Sequence, residues 1–157
     1  MEDTLYLDLA SGRVVIELRP DLAPGHCAHI KALARRGFYD GVVFHRVIDG
    51  FMAQGGDPTG TGTGGSGQHL KAEFSAEKHV RGTCSMARAS DPNSADSQFF
   101  IMFAPAPSLD NQYTVWGKVT SGMEHVDAIK KGDSRRNGTV ENPDKIIKMQ
   151  VAADVKE

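Results

Sequence analysis

Short segments of strand-like sequence recur along the whole chain, and this feature restricts the possible fold more than any other. Leu5, Leu7 and Leu9 alternate with more polar residues, which is the two-residue period of a half-buried strand. Ser11-Gly12 interrupts the pattern, and a second strand-like segment follows at residues 13–18. Two strands separated by a two-residue turn that contains glycine predict a β-hairpin at the start of the chain.

The rest of the chain continues this pattern. Further strands are predicted at residues 42–48, 51–54, 82–87, 98–103, 113–119 and 146–152. Helical spacing of apolar residues occurs in two places: at 26–36, where Gly37 is a stop signal, and at 123–129, which Gly132 closes. Many short strands with two short helices predict a mainly β barrel or sandwich rather than a βαβ fold.

The length and charge of the chain narrow the class of protein. Its 157 residues, 39% hydrophobic and 24% charged, are typical of a single domain, which we expect to span residues 1–157. The formal net charge of -2 shows no excess typical of a nucleic-acid or membrane-surface protein. The acidic start Met1-Glu2-Asp3 is unlike a secretory signal, and Cys27 and Cys84 do not make a disulfide framework. We therefore expect a cytoplasmic protein.

A glycine-rich loop suggests nucleotide binding. Gly60-Thr61-Gly62-Thr63-Gly64-Gly65 matches the pattern G-x-G-x-x-G of dinucleotide-binding proteins. That pattern holds a pyrophosphate only between a strand and a helix N-terminus. Here Ser66-Gly67-Gln68 continues the loop, so the sequence disfavours a nucleotide site.

Single residues also suggest metal binding or hydrolysis. His26 and His29 lie three apart on the first predicted helix and can share a face, but no second ligand pair lies nearby in the sequence. We expect these histidines to be incidental residues of a surface helix and expect no metal. No G-x-S-x-G sequence provides a nucleophile for hydrolysis.

One stretch is far more specific than any of these patterns. Residues 44–57 read Phe44-His45-Arg46-Val47-Ile48-Asp49-Gly50-Phe51-Met52-Ala53-Gln54-Gly55-Gly56-Asp57, and this run strongly resembles the signature of cyclophilin-type peptidyl-prolyl cis-trans isomerases. Further blocks at residues 82–87, 93–101 and 116–119 resemble later blocks of the same family in the same order. The resemblance covers essentially the whole chain.

The resemblance implies a fold and an activity. Members of the family form a closed eight-stranded antiparallel barrel capped by two short α-helices, and they catalyse rotation about X-Pro peptide bonds. The implied partners are proline-containing peptides and unfolded or folding proteins, and the implied state is a monomer without a cofactor. A barrel that grips proline-containing partners without turnover remains the alternative.

The resemblance also assigns roles to residues of this chain. Arg46 and Gln54 match the catalytic positions. Nine positions match the substrate groove, namely His45, Phe51, Met52, Ala87, Arg88, Gln98, Phe100, Leu109 and Tyr113. For His45, a purely structural hydrogen bond is an equally open interpretation.

Three positions depart from many eukaryotic members of the family. Arg88 replaces an asparagine, Tyr113 replaces a histidine, and Ser108 replaces a tryptophan that contacts the cyclic peptide inhibitor cyclosporin. Weak binding of cyclosporin is the expected consequence of Ser108.

Overall fold

Eight strands and two short helices form the molecule. The computed structural model describes residues 2–155, with Ser134 described by its backbone alone. The strands are β1 Thr4–Leu9, β2 Gly12–Leu18, β3 Arg46–Ile48, β4 Met52–Gly55, β5 Thr83–Met86, β6 Phe99–Met102, β7 Val115–Ser121 and β8 Lys148–Val151. The helices are α1 Pro24–Arg35 and α2 Met123–Asp127, and short 3-10 turns lie at Pro107–Leu109, Ser134–Arg136 and Ala152–Asp154.

All eight strands belong to one antiparallel sheet in the order β3-β4-β6-β5-β7-β2-β1-β8. The predicted hairpin is confirmed: β1 pairs with β2, and Leu9 lies opposite Gly12 at the turn. Leu5 and Leu7 are fully buried, as the alternation predicts. The mainly β fold with two helices is therefore confirmed.

The two edges of the sheet approach each other but do not pair as strands within residues 2–155. The segments that precede β3 and β8 make an isolated antiparallel bridge between Val43 and Lys145. Ile146 N also donates to Val42 O at 2.8 Å, and Phe44 N donates to Asp144 O at 3.0 Å. The predicted strand at 42–48 is consequently a strand only from Arg46, because the chain before it has a single bridging partner instead of a ladder.

The sheet separates two apolar clusters because successive strand residues point to opposite faces. In β6, Phe99 and Ile101 join the main core, whereas Phe100 and Met102 belong to a smaller cluster with Met52. The smaller cluster contacts the half-buried residues Ile48, Phe51, Ala87, Ala106, Leu109 and Tyr113. This second face is where the predicted groove residues meet.

The helices cover the main core. Helix α1 starts at Pro24, whose fixed φ suits the first helical position, and it buries Ile30 and Leu33. Helix α2 ends at Asp127, earlier than predicted, and Lys131 Nζ donates to the carbonyl of Asp127 at 2.5 Å, which satisfies an acceptor at the helix end. Among the described residues, no helix is both long enough and apolar enough to cross a bilayer.

Candidate active site

A cavity of about 140 Å³ opens on the outer face of the sheet beside the smaller apolar cluster. Of the eleven predicted site residues, nine line it: Arg46, Phe51, Met52, Gln54, Ala87, Arg88, Phe100, Leu109 and Tyr113. The cavity combines an apolar floor with a polar edge. The remaining two predicted residues, His45 and Gln98, lie outside it.

Strand register brings the central side chains into one row. Arg46 of β3 lies opposite Gln54 of β4, and Gln54 lies opposite Phe100 of β6. Residues directly opposite each other on neighbouring strands point to the same face and contact one another. A guanidinium, an amide and an aromatic ring therefore follow one another across three strands.

The guanidinium of Arg46 is held in place from both sides. Nη1 donates to Gln54 Oε1 at 3.1 Å, Nε donates to the Asn137 carbonyl at 3.0 Å, and Nη2 donates to Asn137 Oδ1 at 3.0 Å. These contacts use three of the five guanidinium N–H groups. The other two have no hydrogen-bond acceptor among the described residues and can donate to a bound molecule.

Asn137 is a site residue that the sequence did not indicate. It has a left-handed backbone, with φ of 58°, and the next residue is Gly138, with φ of 80°. A Cβ atom on Gly138 would lie 2.6 Å from Ile48 Cγ1, so only glycine lets this turn pass so close to β3. Asn137 lies 91 positions from Arg46 in the sequence, and no local pattern links the two.

Gln98 lines a second, larger cavity of about 600 Å³ that adjoins the first. Gln54 Nε2 donates to Gln98 Oε1 at 3.0 Å, and Gln98 Nε2 donates to the carbonyls of Gly62 and Gly64 at 2.9 and 3.0 Å. The two cavities share Gln54, Ala87 and Arg88. The two cavities therefore lie side by side, and we refer to the pair as the groove.

His45 lines neither cavity. Its ring is half-buried behind the glycine-rich loop, and its Nδ1 atom has no hydrogen-bond partner among the described residues. Burial lowers the pKa of His45. The ring is therefore held neutral at pH 7, and its contact with substrate stays a prediction.

The apolar wall of the first cavity rests on a buried histidine. Phe100 packs edge-on against Tyr113, with 5.6 Å between ring centroids, and the His79 ring stacks on Phe100 at 6.1 Å. His79 Nδ1 lies 3.1 Å from Asp110 Oδ1 and Nε2 lies 3.0 Å from Ser85 Oγ. Burial lowers the pKa of His79. No sequence signal indicates His79, since only its position behind Phe100 relates it to the site.

The glycine-rich loop is folded around a carboxylate. Asp57 is buried and accepts hydrogen bonds from the backbone N–H groups of Thr59, Thr61 and Gly62 at 2.8, 3.1 and 2.6 Å. Burial alone would raise the pKa of Asp57, but the hydrogen bonds from the Thr59 hydroxyl and the loop amides outweigh it and lower the pKa to about 2. Amides that a nucleotide phosphate would need are thus already occupied.

The histidines of α1 are buried, so the expectation that they lie on a surface is wrong. His26 Nδ1 lies 2.6 Å from Glu73 Oε1, and His29 Nε2 lies 3.7 Å from Asp96 Oδ1. His29 thus faces Asp96, which lines the larger cavity, whereas His26 joins the helix to Glu73, which lies outside that lining. In the part of the chain that the structure describes, no three His, Cys, Asp or Glu side chains form a metal-binding group.

Comparison with known proteins agrees with this geometry. The family model for "Cyclophilin type peptidyl-prolyl cis-trans isomerase/CLD" matches residues 4–151. A "Probable peptidyl-prolyl cis-trans isomerase" of Brucella suis is 58% identical over 167 aligned positions, covering 99% of this chain and 85% of the relative. "Peptidyl-prolyl cis-trans isomerase B" of Bacillus subtilis is 46% identical, covering 88% of this chain and 98% of the relative.

Solved structures show the same fold. The cyclophilin AquaCyp293 of Hirschia baltica superposes with a TM-score of 0.88 at 28% identity, covering 99% of this chain and 76% of that one. A Cryptosporidium parvum cyclophilin, solved in the presence of the dipeptide Ala-Pro, superposes with a TM-score of 0.85 at 32% identity, covering 94% and 98%. The chain belongs to the cyclophilin-type isomerase family. It is a peptidyl-prolyl cis-trans isomerase.

Proposed function

We propose that the smaller cavity holds the proline ring of an X-Pro peptide and that Arg46 stabilises the twisted amide bond. The row formed by Arg46, Gln54 and Phe100 carries this proposal, because it sets a fixed hydrogen-bond donor beside an apolar wall. The Cryptosporidium relative solved with Ala-Pro supports a proline-containing ligand.

The chemistry requires no bond to a side chain. Rotation about the prolyl C–N bond has a barrier of about 18–20 kcal/mol, because amide resonance keeps the group planar. In the twisted state the nitrogen lone pair becomes available as an acceptor. A guanidinium that donates to it stabilises the twisted state more than either planar form.

One such hydrogen bond accounts for only part of the lowering of the activation barrier. Acceleration to about a thousand turnovers per second requires roughly 7 kcal/mol, whereas a charge-assisted hydrogen bond contributes about 1.5–3 kcal/mol. We assign the remaining lowering of the barrier to anchoring of the substrate. Phe51, Met52 and Phe100 hold the proline ring, and Gln54 holds the carbonyl group that rotates. Leu109 and Tyr113 complete the wall.

The finer features of the molecule follow from the family assignment. We propose that residues 1–157, which extend past the described residues at both ends, form one isomerase domain that assists protein folding. We also propose that the barrel closes through the bridge between Val43 and Lys145. The cytoplasmic location and the monomeric state stay predictions.

An exchange measurement on an X-Pro peptide tests the catalytic role of Arg46. We expect Arg46→Ala to lower kcat/KM by about 10- to 150-fold, the equivalent of one charge-assisted hydrogen bond, without changing the circular dichroism spectrum. Arg36→Ala, which removes an exposed arginine at the end of α1, is the matched control and should keep the wild-type rate. Wild-type turnover by a folded Arg46→Ala protein would show that the donor is elsewhere, and binding without turnover by the wild type would indicate a binding module.

A further inference from the structure

Arg88 lies at the junction of the two cavities and lines both. Its side chain is half-buried, and its Cζ atom lies 4.8 Å from the centroid of the Tyr113 ring and 5.9 Å from that of Phe74. The guanidinium of Arg88 therefore lies against Tyr113, a residue of the smaller cavity.

Backbone carbonyls fix the guanidinium in this position. Nε and Nη2 donate to the Gln112 carbonyl at 3.0 and 2.7 Å, and Nη1 donates to the carbonyls of Ala89 and Ser90 at 2.9 and 3.4 Å. Four of its hydrogen bonds thus go to neutral acceptors, and one of the five N–H groups has no acceptor within residues 2–155. A ligand that binds this group does not have to immobilise it first, which lowers the entropic cost of binding.

Arg88 forms no salt bridge in the described part of the chain, although Asp96 lines the same cavity. Asp96 lines the larger cavity, but its oxygens accept from the backbone of Ser66 and Gly67 at 2.9 Å each and face His29. Asp91, on the neighbouring turn, accepts from Asn93 N at 2.9 Å. Glu73 is bound to His26. These acidic groups thus bind other residues and form no ion pair with Arg88 in the described part of the chain, and the other ionisable side chains that line the larger cavity are Asp96 and His69.

We infer that Arg88 determines substrate specificity by binding a carboxylate side chain of the peptide, two or three residues away from the proline. This inference rests on the proposed function, in which the smaller cavity holds the proline ring. An extended peptide advances about 3.3–3.6 Å per residue, so a side chain two or three positions from the ring reaches the adjoining cavity. The preferred substrate class is thus an X-Pro segment with a nearby Asp or Glu.

Matched peptides test this inference without requiring any variant to keep full activity. Each X-Pro peptide carries Glu, Gln or Lys at one position within three residues of the proline, on either side, and kcat/KM is measured by NMR exchange. For the wild type we expect Glu to exceed Gln by about 3- to 10-fold at one position, and Lys to fall below Gln. Equal rates for Glu and Gln at every position would overturn the inference.

Variants and salt then assign the preference to Arg88. The Glu-to-Gln ratio should fall to about one in Arg88→Gln and persist in Lys71→Gln, which removes the same charge from an exposed residue that lines neither cavity. In the wild type the ratio should also decrease when salt rises from about 0.05 to 0.5 M, because the ion pair is screened. A ratio that is unchanged in Arg88→Gln, or insensitive to salt if that variant does not fold, would contradict the assignment. Absence of turnover on every peptide would instead refute the proposed isomerase site.

Discussion

At the scale of single residues, the site depends on side chains that hold other side chains. Arg46 could be predicted because it lies within a continuous signature of fourteen residues. Its support from Asn137 could not, because the contact depends on which distant turn reaches β3. The same holds for His79 behind Phe100. A sequence motif shows which residues act, and only the fold shows what positions them.

Truncation of Asn137 tests this positioning role. Asn137→Ala removes the Oδ1 acceptor of Arg46 Nη2 while the backbone acceptor of Nε remains. We expect kcat/KM for an X-Pro peptide to fall about 3- to 10-fold, with most of the loss in kcat, since one hydrogen bond is weakened. Asn142→Ala is the matched control, because Asn142 has a similar left-handed backbone, with φ of 50°. A similar loss in both variants would point to backbone strain rather than to the position of Arg46.

Ser108 sets the expected response to cyclosporin. It is exposed in the 3-10 turn Pro107–Leu109, next to Leu109 in the wall of the cavity. The missing tryptophan would add an apolar surface and an indole donor, together about 2–3 kcal/mol, which corresponds to roughly 30- to 150-fold in the inhibition constant. We therefore expect Ser108→Trp to bind cyclosporin more tightly by that factor, with little change in turnover of short peptides. Equal inhibition of both proteins would remove position 108 from the binding surface.

At the scale of elements, the strands were predictable and the loops were not. Alternation indicated β1, and β-branched residues indicated the strand at 42–48, which pairs as a strand only from Arg46 because residues 42–45 have a single bridging partner. The sequence of the glycine-rich loop shows no periodicity. In the structure, two aspartates, Asp57 and Asp96, accept hydrogen bonds from its backbone N–H groups and so fix its conformation. The loop is therefore an ordered wall of the groove, which its composition did not indicate.

Acidification should release this loop. Against the effect of burial, hydrogen bonds from the loop lower the pKa of Asp57 to about 2 in the folded protein. The contribution of Asp57 to the free energy of unfolding is therefore complete above the ordinary pKa near 4 and is lost as the pH falls towards 2. This loss amounts to about 2 kcal/mol in the free energy of unfolding.

A variant that lacks the charge tests the same contacts near neutral pH. We expect Asp57→Asn to accelerate amide hydrogen exchange at Thr61 and Gly62 and to raise KM. Asp49→Asn, on an exposed turn, is the control. Unchanged exchange in Asp57→Asn would show that the loop conformation does not depend on the Asp57 carboxylate.

At the scale of the whole molecule, three histidines connect the parts of the structure: His26 and His79 are buried and His45 is half-buried. His26 joins α1 to the loop at Glu73, His45 lies between β3 and the glycine-rich loop, and His79 supports the cavity wall. Burial lowers the pKa of each one. Burial alone would raise the pKa of Glu73, but hydrogen bonds from the ring and backbone of His26 lower it, and the backbone N–H and ring of His79 lower the pKa of Asp110. Both carboxyl groups therefore stay ionised and accept hydrogen bonds from neutral rings.

Stability should therefore fall on mild acidification, well before the carboxylates titrate. Because the folded protein holds these rings neutral, the unfolded chain binds more protons as the pH falls below about 6.5, the ordinary histidine pKa, and folding loses free energy. Each histidine adds at most about 1.4 kcal/mol per pH unit to the slope. Urea unfolding between pH 7.5 and 5.5 measures this slope. His79→Gln should reduce it, whereas His69→Gln, which replaces an exposed histidine, should leave it unchanged. Two results would contradict this prediction: a free energy of unfolding that rises on acidification in this range, or a slope that His79→Gln does not change. Either would show that the folded protein binds protons at these rings as readily as the unfolded chain does.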